Sequence, residues 1–67
     1  MMYEVEFRFN SVDRTRMMSF IPRMGDVIDL LEDEDSIVLR VEKTVAIERD
    51  GSWKFHCNCV VQDNWIK

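Results

Sequence analysis

The residues able to do chemistry are few: Cys57 and Cys59 with His56 beside them, the acidic run Glu32-Asp33-Glu34-Asp35, and arginines concentrated near the N-terminus. In an extended strand the two thiols, two positions apart, point to one face, shared with Trp53, Phe55 and Val61. A disulfide between them would strain bridging geometry, because two residues along one strand place their Cα atoms near its upper limit. Zinc would need two further ligands, and the adjacent His56 points to the opposite face. A thiol nucleophile would need a base, and none stands at suitable spacing. The cysteines therefore read as buried core residues, since free cysteine is among the most buried residue types. His56 falls on the polar face and reads as an exposed cross-strand neighbour. As a general base it would need a nucleophile or an orienting carboxylate within hydrogen-bond reach. The sequence assigns no catalytic residue, no metal site and no cofactor.

Charge is the more informative property. The chain carries 13 acids against 9 bases, a net charge of -4. Six of those acids (Asp26, Asp29, Glu32, Asp33, Glu34 and Asp35) fall within residues 26 to 35, where no base occurs, so the rest of the chain is weakly basic. The spacing does not match an EF-hand loop, which needs alternating ligands, a central glycine and a distal glutamate. Runs of like charge stay in water, which makes this segment a solvated loop. A sharper expectation is an acidic knob, formed by Asp29, Glu32, Asp33, Glu34 and Asp35, that docks on a basic protein surface and steers association. Arg8, Arg14, Arg16 and Arg23 face only Asp13 within residues 8 to 23, and Phe7, Phe9 and Phe20 are interleaved with this basic hairpin. Arginine beside aromatic residues suits a single-strand nucleic-acid platform. The alternative partner is thus RNA or DNA, held by Arg14, Arg16, Arg23 and Arg40. Four arginines neutralise few phosphates, however.

Five methionines (Met1, Met2, Met17, Met18 and Met24) can fill irregular gaps or form adaptable surface. Met17 and Met18 are adjacent, so one of them must face away from a strand's buried side. An exposed methionine near Phe20 or Trp65 would be a contact site for another chain, a second copy included.

The elements that position these residues follow a period of two. Tyr3, Val5, Phe7 and Phe9 alternate with polar residues, Asn10-Ser11-Val12-Asp13 has turn chemistry, and residues 14 to 20 supply a hairpin partner. Ile21-Pro22-Arg23-Met24-Gly25-Asp26 breaks the ladder. Residues 26 to 32 fit a helix through Val27, Leu30 and Leu31. A short strand is preferred, because the surroundings are β and an acidic loop follows. Alternation then resumes, with Ile37, Leu39, Val41, Val45 and Ile47 on one face; Lys43 on that apolar side predicts a bend or bulge. Asp50-Gly51 between two alternating runs is a strong hairpin signal. Trp65 in the last five residues either caps the core or stays exposed. Five strands in 67 residues must close on themselves to cover their edges.

The stretch Ile21-Pro22-Arg23-Met24-Gly25-Asp26-Val27-Ile28, an acidic turn and the strand Ile37-Val38-Leu39-Arg40-Val41-Glu42-Lys43 resemble the SH3-like small barrels of short bacterial and phage proteins. The resemblance covers roughly residues 21 to 62 and implies a binding module, with no catalytic residue to carry over. Together these features predict one all-β domain over residues 1 to 67, a five-stranded SH3-like small barrel or strongly bent antiparallel sheet. A chain this short buries only about 60% of its unfolded surface, so stability should be modest. Apolar runs of three or four residues are too short to cross a bilayer, and Met1-Met2-Tyr3-Glu4 does not open a secretory signal. The expected setting is the cytosol. The expected role is a non-enzymatic protein-interaction or regulatory module, with homodimerisation open to it.

Overall fold

The computed structural model describes residues 1–62, and Trp65 lies outside the described residues. Five strands account for most of the chain: β1 Tyr3–Phe9, β2 Val12–Met18, β3 Val27–Glu32, β4 Asp35–Arg49 and β5 Ser52–Val61. Three hairpin turns hold two residues each, and in two of them both residues are left-handed: Asn10 and Ser11 (φ 50° and 64°) and Asp50 and Gly51 (φ 52° and 83°). Positive φ at both positions matches the twist of the flanking strands, and Asn, Asp and Gly tolerate it best. Because the first turn consumes only Asn10 and Ser11, β2 begins at Val12 and ends at Met18, two residues earlier at each end than the hydrophobic pattern implied. Residues 27 to 32 form a strand rather than a helix, since every one of them pairs with β4, from Val27 opposite Arg40 to Glu32 opposite Asp35.

The sheet order is β2-β1-β5-β4-β3. Strand β1 runs parallel to β5, with Glu4 opposite Lys54 and Arg8 opposite Asn58, while the other three pairings are antiparallel. The sheet is therefore mixed. It curls strongly into a half-barrel whose concave side holds the core. A bulge in β4 helps to bend it: Val41 pairs with Cys59 and Lys43 with Asn58, which leaves Glu42 as the extra residue. The extra residue reverses the alternation. Before the bulge, Leu39 and Val41 face the core; after it, Thr44 lies opposite Cys57 and Ala46 opposite Phe55, on the concave side. Val45 and Ile47, expected on the same face as Leu39, instead pair with His56 and Lys54 on the outer face, where Val45 is exposed. A one-residue shift in a two-residue period has no other outcome.

The core is Val5, Phe7, Phe9, Leu30, Leu39, Val41, Cys57 and Cys59. Tyr3, Val12, Met18, Ile28, Ile37, Phe55 and Val61 surround it half-buried, and Tyr3 meets Phe55 edge to face with centroids 5.9 Å apart. Met18 packs on this cluster and Met17 is exposed, as adjacent strand positions require. The loop from Ser19 to Asp26 links the two end strands. Pro22 is buried and its carbonyl accepts the Thr44 hydroxyl at 2.8 Å. Gly25 (φ 96°) turns the chain so that its N–H donates to the Val41 carbonyl at 2.8 Å, and the Val41 N–H donates to Asp26 at 2.9 Å. The loop thereby satisfies the backbone beside the bulge and extends the β3–β4 ladder.

Candidate functional site at the open seam

Strands β2 and β3 end the sheet, and curling carries one toward the other without joining them by a ladder. Side chains span the seam instead. Pairing sets Arg14 opposite Phe7 and Arg16 opposite Val5, so both arginines share the concave face of β2 with Val12 and Met18. On β3, Glu32 shares the concave face with Ile28 and Leu30. Arg14 Nε donates to Glu32 Oε1 at 2.8 Å and Arg16 Nη2 to Glu32 Oε2 at 2.6 Å. Arg16 Nη2 also donates to the Leu31 carbonyl at 2.9 Å. The hydrogen bond from Arg14, then that from Arg16, holds the Glu32 carboxyl below the usual carboxylate range.

The Leu31 contact also shows which backbone groups of β3 are unpaired. A strand residue directs its N–H and C=O to the same side, and successive residues alternate. Asp26 gives its carbonyl to Val41 on β4, whereas Leu31 gives its carbonyl to Arg16 across the seam. Ile28, Leu30 and Glu32 therefore bond toward β4, and Val27, Asp29 and Leu31 bond toward the seam. Below the arginines lies a cleft of about 240 Å³ lined by Phe7, Arg16, Met18, Ile28, Asp29, Leu30 and Leu31. Its floor is apolar and its two walls are strand edges.

The sequence-derived charged sets are redistributed by this arrangement. Of the acidic five, Glu32 is drawn inward as the bridging carboxylate, and Asp29 accepts the Ser36 hydroxyl on the outer face of β3. Asp33 (φ 56°) and Glu34 form the exposed turn, and Asp35, also exposed, opens β4. The four arginines do not converge. Arg14 and Arg16 are committed to Glu32, Arg40 pairs with Glu42 at 2.7 Å on the outer face, and Arg23 sits in the loop, where its N–H donates to Asp26. Arg8, in the basic first hairpin, pairs with Asp13 at 3.2 Å. Sequence reasoning placed Glu32 and Arg14/Arg16 in opposing partner hypotheses and missed their contact, because nothing local links residues 16 and 18 positions apart.

Cys57 and Cys59 are free and buried, as their strand face implied. Burial pushes both thiols up, Cys59 to about 11. The Thr44 hydroxyl lies 3.6 Å from Cys57 Sγ and partly offsets the effect there. Few thiolates form at neutral pH in such surroundings. An aromatic disulfide reagent at pH 8 should therefore react with the native protein on the order of a hundredfold more slowly than with the urea-unfolded chain. Equal rates in the two states would show that the strand is not buried. His56 is half-buried rather than exposed: Nδ1 lies 2.9 Å from Glu6 Oε1, and Nε2 lies 3.2 Å from Asn58 Oδ1. The parallel β1–β5 register puts Glu6 directly opposite His56 and so supplies the carboxylate that sequence could not place. With both ring nitrogens engaged, the pair acts as a clamp between the two strands. The same hydrogen bond lowers the Glu6 carboxyl, with Lys54 adding to it. Among the described residues no group of three or more His, Cys, Asp or Glu is placed to hold a metal ion.

The fold and seam define a small all-β half-barrel. Comparison with known proteins adds no relative: no protein-family model, curated protein or solved structure matches the chain.

Proposed function

We propose that this protein is a non-catalytic protein-interaction module of the cytosol, with an SH3-like character, that engages a protein partner at the β2–β3 seam and the acidic turn beside it. The observation that carries this reading is the pair of strand edges facing each other across an apolar cleft, bridged among the described residues by Arg14 and Arg16 reaching Glu32 and the Leu31 carbonyl. An unpaired edge is a template for another chain, and small domains commonly cover or charge such edges. Exposed Leu31 and Val27 on the outer side of β3 extend the apolar surface at this edge. The arginines draw the choice toward protein over nucleic acid, because Arg14 and Arg16 are both held by the one Glu32 carboxylate at 2.6 to 2.8 Å, while Arg40 is paired with Glu42 on the opposite face of the sheet. A phosphate backbone is held by cations that are free to converge on it.

Capture from nuclease-treated lysate tests the reading. Wild-type protein should retain a discrete protein that is lost with the Asp33→Asn, Glu34→Gln, Asp35→Asn variant, a change confined to exposed turn and strand-end positions. Retention of nucleic acid in the untreated lysate, abolished by Arg14→Glu and Arg16→Glu and by moderate salt, would overturn it in favour of the RNA or DNA reading.

A further inference from the structure

We propose that the seam takes one extended, basic peptide segment as a sixth strand between β2 and β3, so that the partner completes the barrel. This rests on the interaction-module reading above and names its partner by chemistry. Three features of the seam converge on it. Neighbouring strands lie about 4.8 Å apart, so an intervening strand calls for edges at roughly twice that spacing, edges that side chains and not a backbone ladder connect. Arg14 and Arg16 make that connection across the gap, to Glu32 and to the Leu31 carbonyl. The backbone of β3 is also pre-aligned, with Val27, Asp29 and Leu31 directed into the gap, and main-chain bonding of this kind supplies the affinity of strand addition. The cleft floor of Phe7, Ile28 and Leu30 would seat the alternate apolar side chains of such a segment.

Charge complementarity selects the basic class. Residues 26 to 35 carry six acids and no base, and the exposed Asp33, Glu34 and Asp35 stand at the end of the seam next to Glu32. Arg14 and Arg16 offset only part of that charge. Arg16 occupies the Leu31 carbonyl that an incoming N–H would take, so the bridge acts as a gate the segment must displace. Its guanidinium also repels a basic ligand, and both effects have the same sign.

The test uses the full chain, 15N-labelled, with two synthetic probes: a seven-residue peptide alternating Val and Thr with two lysines at one end, and its counterpart with glutamates in place of the lysines. The lysine peptide should bind and slow amide exchange at Asp29 and Leu31. Arg16→Ala should tighten binding roughly two- to tenfold, the worth of one hydrogen bond. Leu31→Pro removes an N–H directed at the seam and spares those directed at β4, a position where strands tolerate proline. It should weaken binding roughly two- to tenfold, again the worth of one hydrogen bond, with an unchanged β4–β5 amide spectrum reporting that the sheet remains folded. Equal binding of the glutamate peptide would overturn the basic class. Absence of any added protection at Asp29 and Leu31 at saturating lysine peptide would overturn strand addition, and so would protection that grows with protein concentration in the absence of peptide, which would mark a second copy as the occupant. In each of those cases the lysate capture above still decides the interaction-module reading separately.

Discussion

Phe7→Ala is expected to unfold the protein. Phe7 is fully buried at the middle of β1, where it pairs with Cys57 of β5 on one side and Arg14 of β2 on the other, and it also floors the seam. Truncating a buried phenylalanine costs about 3–5 kcal/mol, made up of lost transfer energy and the cavity left behind. A domain of this length has only about 3–10 kcal/mol in total. The variant should lose most of its cooperative urea transition, while Met17→Ala on the outer face of β2 should change stability by no more than about 0.5 kcal/mol. An unfolding midpoint for Phe7→Ala close to that of Met17→Ala would mean that the half-barrel does not pack around β1. The parallel β1–β5 pairing makes the expectation more severe, because β1 has no short connection to β5 and is held there by the backbone ladder, by packing and by the Glu6–His56 clamp.

Glu32→Lys should produce the second large effect. The substitution replaces the carboxylate that both Arg14 and Arg16 grip with a third cation on the same concave face. Attraction across the seam becomes repulsion, and the Arg16 bond to Leu31 is left to hold the edges by itself. Fluorescence-monitored urea unfolding should show a clear fall in midpoint, reduced by added salt as like-charge repulsion is screened. Glu32→Gln, which keeps the shape and one acceptor, should fall less. Acid should act in the same direction on the wild type. Glu6 and Glu32 have folded-state carboxyls held below the ordinary value, so their contribution to stability is fully present above about pH 4.3, the unfolded glutamate value, and is lost as pH falls through the lowered folded values. The midpoint should therefore drop between pH 5 and pH 3, and the Glu6→Gln, Glu32→Gln double variant should show a shallower drop. A wild-type midpoint that is flat over that interval would contradict the bridge.

What the sequence made legible was what a period of two encodes locally. Tyr3 to Phe9, the Asp50-Gly51 turn and the core placement of Cys57 and Cys59 all follow from alternation and turn chemistry within a few residues. The bulge was legible as a polar residue inside an apolar run, although the extra residue is Glu42 and not Lys43. Its consequence was not. Extrapolating alternation through a bulge assigns Val45 and Ile47 to the wrong face, because one unpaired residue shifts the phase of everything after it. The seam was hidden for a different reason. Arg14 and Arg16 read as a basic hairpin and Glu32 as part of an acidic knob, and only the curl of the sheet brings strands of opposite charge edge to edge. The carboxylate beside His56 was hidden likewise, since Glu6 lies 50 positions away and is brought near by a parallel pairing that no hairpin signal announces.

Amide hydrogen exchange along β3 tests most directly the claim that the barrel is closed by side chains and left open in its backbone. Ile28 and Leu30, bonded toward β4, should exchange slowly, whereas Asp29 and Leu31, directed into the seam, should exchange at rates near those of exposed amides. That alternation of slow and fast along one strand is the predicted result. Uniformly slow exchange from Ile28 through Leu31 would show β3 paired on both edges and would contradict the open seam.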